Sequence, residues 1–467
     1  MLFNSYLFLF LFWPLAWWLA VTVRRRWGTA EAGLAILASS WLFYGWWSPS
    51  PETPIGIFLL LLVGSTIVNW WLGALLSRHP SKALLVLGVG FDLGLLGVFK
   101  YAGFAAETLA ALGVSLDLPP IVLPIGISFF TFQQIAYLVD CQRDRTHEPN
   151  FVPYAAFVSF FPQLIAGPIV HAKELIPQLK SKQLLRADDT VLVLGLTTFI
   201  IGLAKKVLIA DDLSGMVQGI FDLETAPTAP DMWSALVAYA LQLYFDFSGY
   251  ADMAIGIALT FNVRLPENFN SPYKATSIIE FWRRWHMTLS AFLRDYLYFP
   301  LGGGRCSPGR RTTNLMITML LGGLWHGAGW TFVLWGGLHG VYLVLNHLWR
   351  RLGIALPHAV AWAATFFFVL VAWLPFRAVD FERLKVLAAS LCGANGFAFD
   401  SSPFSIDGSD LRLIVLCLLG ALFLPNRSEM VARLPRRDWV HAALFAAVAI
   451  ACLLALADPS PFLYFQF

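Results

Sequence analysis

Charge is scarce in this sequence. Asp, Glu, Lys and Arg make up 13% of its 467 residues, against about 25% in a soluble globular domain. A water-soluble enzyme of ordinary composition is therefore excluded. Cysteine is also sparse. Cys141, Cys306, Cys392, Cys417 and Cys452 are odd in number and scattered without ligand spacing, which argues against a disulfide framework or a thiolate metal centre. No metal is expected. The basic residues form no tail or patch suited to nucleic acid. No internal repeat, low-complexity tract or long linker divides the chain.

Apolar runs fill the space that charge leaves. Hydrophobic residues reach 58%, with 39 Phe and 19 Trp. The first run, Tyr6 to Val23, is long enough for a helix to cross a hydrocarbon layer of about 30 Å. It is followed, not preceded, by Arg24, Arg25 and Arg26, so it is expected to stay as a first span and not to be removed as a leader. Further spans are expected near 5–23, 31–47, 55–77, 83–110, 121–139, 152–170, 190–210, 232–260, 313–347 as one or two segments, 358–376, 411–424 and 439–456. Ten to thirteen membrane elements result, and in hydrocarbon each must satisfy its backbone internally. The expected fold is an all-α, polytopic transmembrane bundle, with residues 1–467 as one integral-membrane domain. Basic residues favour cytoplasmic loops. Arg24–Arg26, Arg78 and Lys82 are then cytoplasmic, the N-terminus and the Ser48–Pro54 linker face outward, and the uncharged tail after Asp458 suits an external or interfacial end.

Residues 262–311 break the apolar pattern with eleven charged side chains from Arg264 to Arg311, too many for an ordinary lipid-facing span. Within them, Glu280–Tyr298 has helical periodicity. One continuous helix would place Arg283, His286, Ser290 and Arg294 on one face and Trp282, Trp285, Leu289, Leu293 and Tyr296 on the other. Such a helix can lie along the interface or dip into the bundle. Residues Pro266–Asn270 and Ser271–Tyr273 read as a structured turn feeding it.

A second anomaly is Asn314–Gly337, where His326 stands amid about two dozen mostly apolar residues, flanked by Gly322, Gly323, Gly327 and Gly329. A polar group at that depth costs several kcal/mol without partners or a hydrated cavity. The glycines permit close helix approach or room for a substrate. A buried histidine bonded across a helix interface is the plainer reading, and His339, thirteen residues on, is read as structural. Asp246 and Asp252 in Tyr244–Asp252 are read first as braces for interior helices, since each needs a donor or cation if buried. The Phe161–Pro168 region breaks another apolar run, as in cavity-lining helices of transporters.

Acyl transfer suits these residues. Neutral histidine can take a proton from a hydroxyl attacking a thioester carbonyl, and nearby donors can hold the oxyanion. His286 can orient the acceptor or meet the donor. Arg283, Arg284 and Arg294 can attract the phosphates of a coenzyme or carrier arm, although simple cytoplasmic retention explains each equally well.

Several phrases in order carry a family resemblance: Gly126–Asp140, Phe161–Ile169, Tyr244–Ile257, Leu265–Asn270, Glu280–Arg294 and Gly322–Ala328, with the opening and closing residues. Through them the whole chain resembles the membrane-bound O-acyltransferases, in the bacterial branch concerned with alginate O-acetylation. The resemblance implies tilted helices around a central funnel, a catalytic region near 262–337, and catalytic roles for His326 and His286. It implies an acetyl thioester co-substrate, acetyl-CoA or an acyl carrier protein, with no tightly bound cofactor. It also implies a bacterial inner-membrane location and a periplasmic acetyltransferase partner with an SGNH-type serine active site, or other acetylation-complex subunits. No Gly-x-Ser-x-Gly elbow occurs in this sequence. A transporter of the acyl donor and a non-catalytic scaffold remain as alternatives. The acceptor polymer stays open among alginate, cellulose, other exopolysaccharides and peptidoglycan.

Overall fold

The computed structural model describes residues 2–48, 53–186, 188–222, 225–399, 406–433, 439–456 and 462–463. Most of the Ser48–Pro54 linker and all but two residues of the tail beyond Asp458 lie outside them. Helices and turns make up the described residues, with no strand among them. Five helical stretches are long and apolar enough to cross a membrane: α1 (Phe8–Trp27), α3 (Ile57–Arg78), α4 (Lys82–Ala111), α7 (Asp189–Phe221) and α13 (His358–Arg377). Between them run α2 (Thr29–Gly45), α5 (Ile127–Asp144), α6 (Phe151–Ser159), α8 (Ala229–Thr260), α9 (Ile278–Arg284), α10 (Met287–Leu293), α11 (Pro308–His326) and α12 (Trp330–Leu352). Then come α14 (Phe381–Leu391), α15 (Gly408–Phe423) and α16 (Trp439–Ala455). The chain is a multi-pass membrane protein of helical type.

Two compact units are distinguishable. The first comprises residues 1–200, 250–266 and 456–461, and so holds α1 to α6. Its helices are joined by a buried polar knot. Asn69 of α3 donates through Nδ2 to Asp92 Oδ1 of α4 at 2.7 Å and to Gln134 Oε1 of α5 at 2.8 Å. The apolar run does break where expected: Phe160 separates α6 from a single turn at Phe161–Leu164, and Gln163 there accepts at Oε1 from Gln133 Nε2 at 2.8 Å. Such bonds fix helix pairing where water competes little.

The second unit comprises residues 201–249, 267–455 and 462–467. Its centre is aromatic, with Tyr273, Phe281, Trp285, Trp335, Trp373 and Phe376 all buried. The apolar stretch 313–347 is two helices, not one. α11 and α12 are joined by Gly327–Gly329, whose extended backbone ends one helix and starts the next. They pack closely because Gly323 and Gly336 meet face to face: a Cβ on Gly336 would strike the Met319 carbonyl, and one on Gly323 the Phe332 carbonyl. Ser307 caps α11 through the Arg310 amide, and Pro308 opens it.

Charge is buried here in paired form. Lys206 Nζ lies 2.7 Å from Asp246 Oδ1 and 2.8 Å from Asp211 Oδ1, and the Leu463 amide donates to Asp246 Oδ2 at 3.0 Å. Asp246 is thus the brace that its burial requires.

Candidate active site

The expected continuous helix over Glu280–Tyr298 does not form. α9 stops at Arg284, α10 starts at Met287, and His286 between them adopts the left-handed conformation, φ 42° and ψ 54°. Arg283, His286, Ser290 and Arg294 therefore do not share one helical face. The physical reason is a competing partner for the backbone. The loop Glu267–Asn270 runs beside the break, where the Asn270 amide donates to the Arg284 carbonyl and the Met287 amide to the Asn268 carbonyl, each at 2.9 Å. These two bonds replace helical ones and offset the one to two kcal/mol that a left-handed side chain costs.

The break turns His286 inward. Its ring is completely buried, in edge contact with Phe247 at 4.7 Å. Its Nδ1 lies 3.2 Å from Asn268 Oδ1. That oxygen also accepts from the Thr288 amide at 3.2 Å and from the Thr288 hydroxyl at 2.9 Å. An amide N–H can only donate, so the atom facing it is the oxygen of Asn268 and not its nitrogen. His286 must then donate from Nδ1, which leaves neutral Nε2 with a bare lone pair. Nε2 is buried and makes no hydrogen bond among the described residues.

His326 is the last residue of α11, where Gly327 lets the backbone leave the helix. It is 3% exposed, and its ring centroid lies 6.2 Å from that of His286. Trp335 closes one side at 4.9 Å, edge to face, and Phe376 another at 5.4 Å. The indole Nε1 of Trp335 and the amide Nδ2 of Asn268 are buried donors with no hydrogen bond among the described residues. Each such donor costs about 1–3 kcal/mol if nothing meets it. Two histidines, a fixed acceptor nitrogen and two donors without a partner among the described residues thus lie in one buried, largely aromatic neighbourhood.

Residues 126–378, which contain all of these groups, match the profile of the MBOAT, membrane-bound O-acyltransferase family. The chain belongs to that family. A probable alginate O-acetylase of Pseudomonas putida is 39% identical, with all of both chains covered. A peptidoglycan O-acetyltransferase of Helicobacter pylori is 37% identical over all of this chain and 98% of its own length. A probable alginate O-acetylase of Pseudomonas aeruginosa is 43% identical over 83% of this chain and 73% of its own. The chain is an O-acyltransferase.

Of the residues singled out in this acyltransferase from sequence, His286 and His326 come together and the arginines do not join them. Arg284 is held by Glu280 at 2.8 Å and by the Asn270 carbonyl at 3.2 Å. Arg294 is exposed and forked onto Asp295 at 2.7 and 2.9 Å, and Arg283 is exposed. His339 is buried and accepts at Nδ1 from the Trp282 indole at 3.2 Å, so it carries its own proton on Nε2. Sequence reasoning missed Asn268 and Trp335. Asn268 stood inside the Leu265–Asn270 phrase as part of a turn, and its signal was a second polar side chain at a place where one asparagine would suffice for turning.

Proposed function

We propose that this enzyme takes acetyl groups from a cytoplasmic thioester and passes them across the bacterial inner membrane for O-acetylation of an exported polysaccharide. The reading is carried by the buried His286–His326 pair, one ring with its acceptor nitrogen fixed by Asn268. Relatives named for alginate and for peptidoglycan support a carbohydrate hydroxyl as the final acceptor, and an alginate-like polymer is the preferred one.

The chemistry follows from the proton inventory. An acceptor hydroxyl attacks the thioester carbonyl, its proton passes to His326, and the C–S bond breaks as the thiolate leaves and takes up a proton. His286 cannot donate from its bare Nε2, and the attacking hydroxyl commits its one proton to His326, so the part of His286 is to accept from a second donor group on the acceptor and orient it, and not to hold the oxyanion. The indole N–H of Trp335, beside His326, and the Asn268 amide supply donors for the developing charge. Arg283, Arg284 and Arg294 have the charge to attract donor phosphates; Arg283, which makes no ion pair among the described residues, is the first of them to test.

Residues 1–467 work as one membrane domain in this proposal, with 262–337 as its catalytic region. Arg24–Arg26 lie on the cytoplasmic side and the N-terminus faces the periplasm, by the bias of basic residues to cytoplasmic loops. A periplasmic SGNH-type acetyltransferase receives the group and completes delivery.

The deciding experiment reconstitutes purified protein with radiolabelled acetyl-CoA and follows thioester loss and label transfer. Wild type should consume the donor, while His326→Ala, matched in gel filtration and thermal midpoint, should not. Equal consumption by both removes His326 from the chemistry. Movement of intact acetyl-CoA without cleavage replaces the enzyme reading by transport.

A further inference from the structure

Far from His326, at the opposite ends of the same helix pair, the start of α11 and the end of α12 line an open cavity. From α11 it is lined by Arg311, Thr312 and Leu315, and from α12 by Val344, His347 and Arg351. Both sets follow helical spacing, so each is a single ridge facing the other. The floor is apolar through Leu315 and Val344, and the rim is basic. No carboxylate lines it. Arg311, Arg350 and Arg351 all bear electrostatically on the His347 ring. Arg311, His347 and Arg351 make no ion pair among the described residues, in contrast with Arg284 and Arg294.

Uncompensated cations this close repel one another, and a compact anion relieves that repulsion. The forked guanidinium donors of Arg311 and Arg351 match phosphate oxygens, while the apolar floor suits a carbon chain attached to the phosphate. Position adds a second argument. His326 follows Arg311 by fifteen residues on unbroken α11, or about 22 Å at the helical rise. A ligand anchored here by its phosphate can send a long arm along the helix toward the histidines.

We propose that this cavity is a phosphate-ester site that anchors the thioester donor, the phosphate of a coenzyme or of a carrier's pantetheine arm being its ligand. The inference rests on the acyltransferase reading for the donor's identity, though not for the binding of phosphate. A phospholipid headgroup offers the same chemistry and is the other source to separate.

The test uses the full chain in nanodiscs of phosphatidylcholine. Binding of coenzyme A is compared with that of pantetheine, which has the same arm without phosphate, for wild type and for Arg311→Gln combined with Arg351→Gln. Coenzyme A should bind wild type and pantetheine far more weakly. Each arginine lost should weaken coenzyme A on the order of tenfold, and added salt should weaken it further. A parallel series replaces part of the lipid by phosphatidylglycerol. If that lipid raises the thermal midpoint of wild type and not of the double variant, while coenzyme A binding ignores the substitutions, the phosphate site stands with lipid as its ligand and the donor assignment falls. If neither ligand responds to the substitutions, the site is overturned. Turnover of acetyl-CoA by wild type is measured alongside. Arginine-dependent binding without any turnover by wild type sinks the acyltransferase reading and keeps the site; turnover with a donor KM indifferent to both arginines does the reverse.

Discussion

Lys206 and Asp246 lie 2.7 Å apart with side chains 4% and 2% exposed, and His286 and His326 in the same unit are buried to the same degree. The two pairs nevertheless differ in what their polar atoms do. In the first, the ammonium meets two carboxylates and Asp246 also takes the Leu463 amide, so the group closes on itself. In the second, one nitrogen of His286 is committed to Asn268, while the other, and the indole donor of Trp335, have no partner among the described residues. Burial of polar groups is common to both and marks neither as a site. Unspent hydrogen-bonding capacity is what separates the second pair from the first.

The comparison breaks most visibly at His326. His326→Ala should lower acetyl transfer by 10²–10⁴-fold, the range of a lost general base, with thermal unfolding near wild type. A variant that unfolds but retains specific activity while folded would make His326 a brace like Lys206.

Lys206→Met should do the opposite, acting on stability by about 3–5 kcal/mol because Asp246 is left buried without its cation. Removing both charges, Lys206→Met with Asp246→Leu, should restore much of that loss. Thermal denaturation in detergent measures it. Loss of turnover with unchanged stability would move the ion pair into the chemistry and erase the contrast drawn above.

Asn268→Ala sharpens the reading of the histidine pair. Freed of its lock, His286 samples both tautomers, and the rate should fall on the order of 10–100-fold, chiefly in kcat. Nitrogen NMR of labelled histidine should show Nδ1 protonated in wild type and a mixture in the variant. Asn268→Asp keeps an acceptor for Nδ1 and should return most of the signature. An unchanged tautomer in Asn268→Ala would refute the lock even if activity dropped.

The smallest effect concerns the brace at the end of α9. Burial by itself would raise the Glu280 carboxyl, but the Thr276 amide and hydroxyl and the Arg284 guanidinium outweigh it and hold Glu280 below its ordinary value. A folded value below the unfolded one gives stabilisation that is full above the ordinary carboxylate range and fades as pH falls through the folded value. Both partners are about a third exposed, so Glu280→Gln should cost only a few tenths of a kcal/mol near neutrality after solvent screening. The difference should shrink below about pH 4. A gap that grows in acid would show that the carboxylate is not the stabilising form.

Much of this was legible along the chain. The apolar runs announced α1, α3, α4, α7 and α13, and the depth of His326 within such a run singled it out. His286 was legible as a residue but not as a geometry. Periodicity counts only bonds along one helix, and it therefore drew a single helix through Glu280–Tyr298. The Asn268 and Asn270 partners that divide it come from a different segment. Trp335 passed unseen because tryptophan is abundant here, and nothing local says which indole N–H lacks a partner.

The sequence by itself determined the solvent, the helical class and the family, because a chain so poor in charge must satisfy its backbone within helices when water is absent. It also determined which polar residues were too costly to be incidental. Tertiary structure alone decided which of those costs are settled within the protein, as at Lys206 and Asp246, and which stay unmet among the described residues, as at His286 and Trp335. It decided the proton position on His286 as well, through an oxygen eighteen residues away in the chain. A hydrogen bond depends on where two atoms stand in space, and a left-handed residue held by a neighbouring loop has no periodic signal to betray it.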